Sequence, residues 1–246
     1  MRSSALTTTI TTTFYTLSDA VAHFGLEHHQ SSDDRVSERT FLDDNLWKIN
    51  AGLLPHEFVH SWNAKYRRPS GLATGDFSTP MKDDLLWVYE GLTEYLGNVL
   101  TARPACGLRR NIAKISRCSP PGSTTGPAAN GARCRTPTMP PSSCVLARGD
   151  WNSLRRDVDF YDEGDLIWLE ADVTIRQLTG GRRSLDDFCK AFHGGASGRT
   201  GPRSHTFDDV VSALNQIAPS DWKGFFTTRL TALSLRAPMQ GIEKSG

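Results

Sequence analysis

Apolar positions along this chain fall into blocks of helical period, behind a front part of more extended character. Between Leu42 and Asn63 the residues Leu46, Ile49, Leu53, Leu54, Phe58 and Val59 recur at about helical spacing, behind Asp43 and Asp44 as cap residues, and predict one helix. A second is predicted from Lys82 to Leu100, where Leu85, Leu86, Val88, Tyr89, Leu92, Leu96 and Val99 form an apolar face and Asp83 and Asp84 an acidic first turn. Gly164 to Leu178 predicts a third, stopped by Gly180-Gly181, and Ser184 to Phe192 and Asp208 to Ile217 predict two more. Thr13 to Asp19 and Val21 to His29 read as extended segments. The expectation is an α+β, mainly α fold with a small front β-sheet or hairpin.

Two stretches break this pattern. Pro104 to Ala147 is crowded with Pro, Arg, Gly, Ser, Thr and Cys, has no sustained period, and is too long for a structureless loop in a compact domain. Thr7 to Thr13 is low in complexity, though short enough to be a strand. The chain therefore divides into residues 1–13, 14–103, 104–147, 148–235 and a tail at 236–246.

A length of 246 residues with 38% hydrophobic content suits one soluble domain or two small ones. The formal net charge of +1 gives no electrostatic case for nucleic acid or an anionic membrane, and no apolar run is long enough to span a bilayer. The N-terminus leads into threonines rather than a signal core, so no export signal is read and the compartment stays open. Five cysteines, an odd number without a CxxC pair, argue against a cysteine zinc site and a fully paired disulfide framework. Cys189, within an apolar helical pattern, reads as a small buried hydrophobe.

The candidate chemistry lies in His56-Glu57-Phe58-Val59-His60, an HExxH motif. One helical turn puts both imidazoles on one face, able to bind a single zinc ion, with Glu57 beside the open coordination position as general base. By composition the pattern arises by chance in about one per cent of chains of this size, so context has to separate a site from two surface histidines. A catalytic zinc requires a third protein ligand, and Glu90, set among apolar neighbours in Val88-Tyr89-Glu90-Gly91-Leu92, is the candidate. Its plainer reading is a solvated carboxylate on a helix face. Glu94, one turn on, reads either as a hydrogen-bond partner of a ligating imidazole or as an exposed charge.

HEFVHSWN, followed by a linker and then WVYEGLTEY, resembles the glycyl aminopeptidase family, the PDZ-bearing gluzincin metallopeptidases distantly related to aminopeptidase N. The resemblance runs from about Phe14 to Arg103 and again from Arg148 to about Leu230. It implies a thermolysin-like catalytic domain in two halves, with one zinc ion on His56, His60 and Glu90, Glu57 as base, and a peptide with a free N-terminus as substrate. Gly25-Leu26-Glu27-His28-His29 is similar to the Gly-x-Met-Glu-Asn motif that binds the substrate amine in aminopeptidase N relatives, which gives Glu27 that role. An exposed loop glutamate is the other reading; His28 and His29 are read as surface residues rather than ligands. Phe160-Tyr161-Asp162-Glu163-Gly164 resembles Tyr-Glu-Lys-Gly, whose tyrosine hydrogen-bonds the tetrahedral intermediate, so Tyr161 is either that donor or a core tyrosine. Trp62 and Asn63 follow the motif and either shape the site or pack the helix.

The implied activity is removal of N-terminal Gly or Ala. The alternatives are a zinc endopeptidase on the same fold and an inactive remnant, because the family usually adds a β-rich domain before and a PDZ domain after this region. Relatives tend to be exported from bacteria. Since the likeness stops after Arg103 and resumes at Arg148, 104–147 reads as a stretch translated out of frame, and 1–13 as a milder case of the same.

Overall fold

The computed structural model describes residues 12–22, 24–103, 158–194, 203–231 and 237–245. The stretch 104–147, and with it the out-of-frame reading, lies outside the described residues, as do residues 1–11.

Three strands form the front sheet: β1 (Thr12–Leu17), β2 (Phe24–Glu27) and β3 (Ser31–Val36), in the order β1-β3-β2. β1 runs parallel to β3, and β2 runs antiparallel to it with Gly25 opposite Asp34 and Glu27 opposite Ser32. The central strand, Ser-Ser-Asp-Asp-Arg-Val, has no apolar alternation, and the sequence pattern missed it. Its buried positions are instead Ser32, Asp34 and Val36, with the Ser32 hydroxyl donating to Asp34 at 2.8 Å. On β2 the exposed side carries Phe24 and Leu26, which leaves Gly25 and Glu27 on the face turned towards the helices.

The single helix predicted from Leu42 to Asn63 is two helices, α1 (Asp44–Asn50) and α2 (Leu53–Val59). Pro55 is the reason: a continuous helix would need its missing N–H at the carbonyl of Ala51, whereas in the first turn of α2 no such bond is required. The Thr101 hydroxyl reaches that carbonyl instead, at 3.4 Å. α1 is capped by Asp43 but buries nothing, and its Trp47 and Ile49 are exposed, so part of the helical apolar period does not face the core. After β4 (Arg67–Pro69) and a short 3-10 turn, the helix predicted from Lys82 is likewise divided, into α3 (Leu86–Tyr89) and α4 (Gly91–Ala102), with the break at Glu90.

α5 (Asp162–Thr179), α6 (Leu185–His193) and α7 (Phe207–Ile217) are close to their predicted spans, the last two starting in capping boxes of Ser184 with Asp187 and Thr206 with Asp209. β5 (Arg203–His205) pairs with β4. α8 (Trp222–Thr231) and α9 (Gln240–Ser245) were not predicted; both are tied to α5 through its fully buried Glu170, which accepts from Arg229 and Lys244 at 2.8 Å. The core is aromatic. Trp87 stacks on Trp168 at 5.6 Å, Phe226 lies against both, and Phe188 joins Trp168 to α6. Cys189 is buried there and free. Among the described residues no helix is long and apolar enough to cross a membrane.

α4 packs against both α2 and α5, and its crossing with α5 is a backbone contact: a Cβ at Gly91 or at Gly164 would lie 2.6 Å from the α-carbon of the other. Overpacking this kind of contact typically costs about 1–3 kcal/mol. Gly164→Ala is expected to lose stability of that order in denaturant unfolding; a midpoint equal to that of the parent protein would mean that the crossing relaxes freely.

Candidate metal centre

α2 places His56, Glu57 and His60 on the side facing β2 and α4, and all three are buried. The Nε2 atoms of His56 and His60 are 3.2 Å apart, and Glu90 Oε2 lies 3.4 Å from the first and 3.2 Å from the second. Ligands about 2.0–2.2 Å from one ion at tetrahedral angles stand about 3.3–3.6 Å from one another, which is close to this triangle. The contacts do not suit hydrogen bonds as well: charge-assisted N–H···O bonds are about 2.7–2.9 Å long, and Glu90 Oε2 is buried without a hydrogen-bond partner. Three donor atoms thus converge on one point, and the set fits a single zinc-like cation.

The outer nitrogens are also held. His56 Nδ1 lies 2.8 Å from Glu94 Oε2 and His60 Nδ1 lies 3.2 Å from the carbonyl of Asn63. A carbonyl only accepts, so His60 carries its proton on Nδ1 and turns the Nε2 lone pair towards the centre. Burial alone would keep His56 neutral, but Glu90 and Glu94 overcome it and raise the imidazole to about 10. Burial likewise opposes ionisation of Glu90, and His60 and His56 lower it to about 2. The pocket draws in positive charge.

Glu57 lies beside the triangle, against β2. Its Oε2 is buried and unpartnered, and a Cβ on Gly25 would stand 2.0 Å from its Oε1, so the absence of a side chain at Gly25 makes room for the carboxylate. Burial raises Glu57 to about 7, with His60 and His56 pulling it down and Glu27 and Asp34 adding to the rise. Glu27 accepts a hydrogen bond from the Tyr89 hydroxyl and lies 3.7 Å from Lys65 Nζ. Burial pushes its carboxyl up, yet His60, Tyr89 and Lys65 together hold it below the ordinary glutamate value. Donor atoms of Glu27, Glu57 and His60 lie within 4.8 Å of one another, so the carboxylate on β2 adjoins the centre. The ring of Tyr161, at the start of α5, lies 5.8 Å from that of His56, and burial followed by the nearby carboxylates of Glu90, Glu57, Glu27 and Glu94 keeps its phenol protonated. His28 and His29 are exposed and stand outside this group.

Residues 50–167 match the family described as M61 glycyl aminopeptidase. Over that stretch, a little under half of its length, the chain is similar to the M61 glycyl aminopeptidases. No curated protein matches it. Among solved structures it is similar to the aminopeptidase N family protein from Idiomarina loihiensis, with a TM-score of 0.78, 19% identity and 94% of this chain covered. That likeness establishes the mainly α fold with its small sheet, and the chain spans 40% of that structure's length. The M61 match includes His56, Glu57, His60, Glu90 and Tyr161, and leaves Glu27 outside it.

Three contacts of this centre were missed in the sequence. Tyr89 directly precedes the candidate ligand Glu90, Lys65 follows the HExxH motif by five residues, and both reach Glu27 across the fold. Thr93 Oγ1 lies 3.5 Å from His60 Nδ1. Each looked like an ordinary helix or loop residue because its partner is distant in sequence. Trp62 packs on Phe58 at 5.3 Å and against the core, which favours the packing reading for that residue.

Proposed function

We propose that the chain is the catalytic core of a zinc aminopeptidase, with His56, His60 and Glu90 holding one zinc ion. The observation that carries this reading is the buried triangle of donor atoms, 3.2–3.4 Å on each edge, with an unpartnered glutamate beside it. A bound zinc ion supplies Lewis-acid chemistry, lowering the pKa of water and polarising a carbonyl.

Glu57, buried and near neutrality, takes the proton of the attacking water and passes it to the leaving amine. Tyr161, held protonated, donates a hydrogen bond to the oxyanion of the tetrahedral intermediate. Glu27 receives the ammonium of the substrate's first residue and so fixes cleavage at the first peptide bond. A small N-terminal residue is the substrate class: glycine is suggested by the M61 match, and alanine is the next smallest residue. The purified chain is expected to hold close to one equivalent of zinc, which metal analysis reads directly.

Peptides with a free N-terminus are expected to be cleaved in preference to their N-acetylated counterparts, and Glu27→Gln should narrow the difference mainly by raising KM for the free peptides. Equal cleavage of free and acetylated peptides by the unaltered chain would point to an endopeptidase. Lys65, already 3.7 Å from Glu27, is the contact that would favour that second reading, because it supplies Glu27 with a resident cation.

A further inference from the structure

We infer that Asn63 is a positioning residue of the metal centre, joining the end of α2 to the break that presents Glu90. The inference rests on the reading of His56, His60 and Glu90 as zinc ligands. Asn63 is fully buried, and its Nδ2 donates to the carbonyls of Val88 at 2.6 Å and Tyr89 at 3.2 Å and to Thr93 Oγ1 at 3.1 Å. These carbonyls immediately precede Glu90, where α3 gives way to α4 and the backbone stands at φ −99° and ψ −47°. A side chain bonded into a helix's carbonyl ladder is an established cause of such a kink.

The main chain of the same residue acts on the other ligand, since its carbonyl lies 3.2 Å from His60 Nδ1. Asn63 therefore touches both donor-bearing segments, that of Glu90 through its amide and that of His60 through its carbonyl. Thr93 closes the link: its hydroxyl donates to the Tyr89 carbonyl at 2.7 Å, which leaves the oxygen free to accept from Asn63.

The orientation of the amide follows from its neighbours. Turned over, Oδ1 would face two carbonyl oxygens, so the nitrogen has to point there, and Oδ1 is left buried without a partner. An unsatisfied buried oxygen lowers stability, and an apolar residue at this point would avoid that loss. What an apolar residue cannot do is hold the Val88 and Tyr89 carbonyls in place. The two readings of Asn63, packing and site-shaping, separate on this point.

The experiment measures zinc affinity by chelator competition, together with the visible spectrum of the cobalt-substituted protein, for the unaltered full chain and its Asn63→Ala and Asn63→Asp variants. Removal of an outer partner typically weakens metal binding about 10–100-fold, and both variants are expected to fall in that range with shifted cobalt bands. Phe188→Leu, in the core behind α5, is the control: it should lower thermal stability and leave zinc affinity and the cobalt bands as they were. Affinities within twofold of the unaltered chain and an unchanged spectrum would overturn the inference, as would equal weakening in Phe188→Leu. If both Asn63 variants fail to fold, Thr93→Val removes the hydroxyl link alone; weaker zinc binding supports the inference and unchanged binding overturns it. An unaltered chain that binds no zinc brings down the ligand assignment and this inference together, whereas one equivalent bound with unaffected variants brings down this inference alone.

Discussion

Glu57→Gln is expected to keep one zinc ion bound and to slow peptide hydrolysis by about 10²–10⁴-fold, the usual contribution of a positioned general base. The amide has nearly the shape of the carboxylate, so the space left by Gly25 still accommodates it and α2 keeps its place against β2. It cannot accept the proton of water. The triangle of His56, His60 and Glu90 is untouched, so metal content should not change. Burial holds the Glu57 carboxyl at about 7, which marks it as costly to ionise in this position, and a neutral glutamine therefore should not destabilise the fold. Retention of more than a few per cent of the parental rate, with zinc bound, would remove Glu57 from the mechanism.

The part of this site that could be read from the sequence is local in the chain. HExxH fixes three side chains within two helical turns, and any helix there puts His56 and His60 on one face, even though the helix proved to be only seven residues long. Glu90 was legible because a carboxylate among apolar neighbours needs a charge partner. The fold's missed elements share a different physical cause. β3 is buried through Ser32 and Asp34, so hydrophobic period cannot find it, and α1 leaves Trp47 and Ile49 in solvent, so the same period overstates its burial. The breaks at Pro55 and Glu90 had unequal warning: Pro55 stood in the sequence as a helix breaker, whereas the break at Glu90 coincides with hydrogen bonds from Asn63, more than twenty residues earlier. Contacts such as Tyr89 and Lys65 with Glu27 exist only because the sheet edge folds back over α2, and spacing along the chain carries no trace of them.

Glu90→Ala should give the opposite pattern to Glu57→Gln. Removing one of three donors is expected to weaken zinc binding by more than the about 10–100-fold that loss of an outer partner costs. His56 and His60 remain 3.2 Å apart and two neutral imidazoles hold a divalent cation less firmly than two imidazoles and a carboxylate, because the charge that offsets desolvation of the ion is gone. The metal-free protein need not suffer, since Glu90 is a buried anion whose ionisation is opposed by burial and sustained only by the two histidines. Chelation of the unaltered chain should therefore lower its thermal midpoint, as removal of any ligand specific to the folded state does, while the midpoint of Glu90→Ala should respond little to the chelator. Activity separates the two residues further. Excess zinc should restore part of the hydrolysis lost in Glu90→Ala by refilling the weakened site, and it should do nothing for Glu57→Gln, where the site is already filled and the proton acceptor is missing. Zinc affinity in Glu90→Ala equal to that of the unaltered chain would show that the third ligand lies elsewhere, with Glu27 as the next carboxylate in reach of His60.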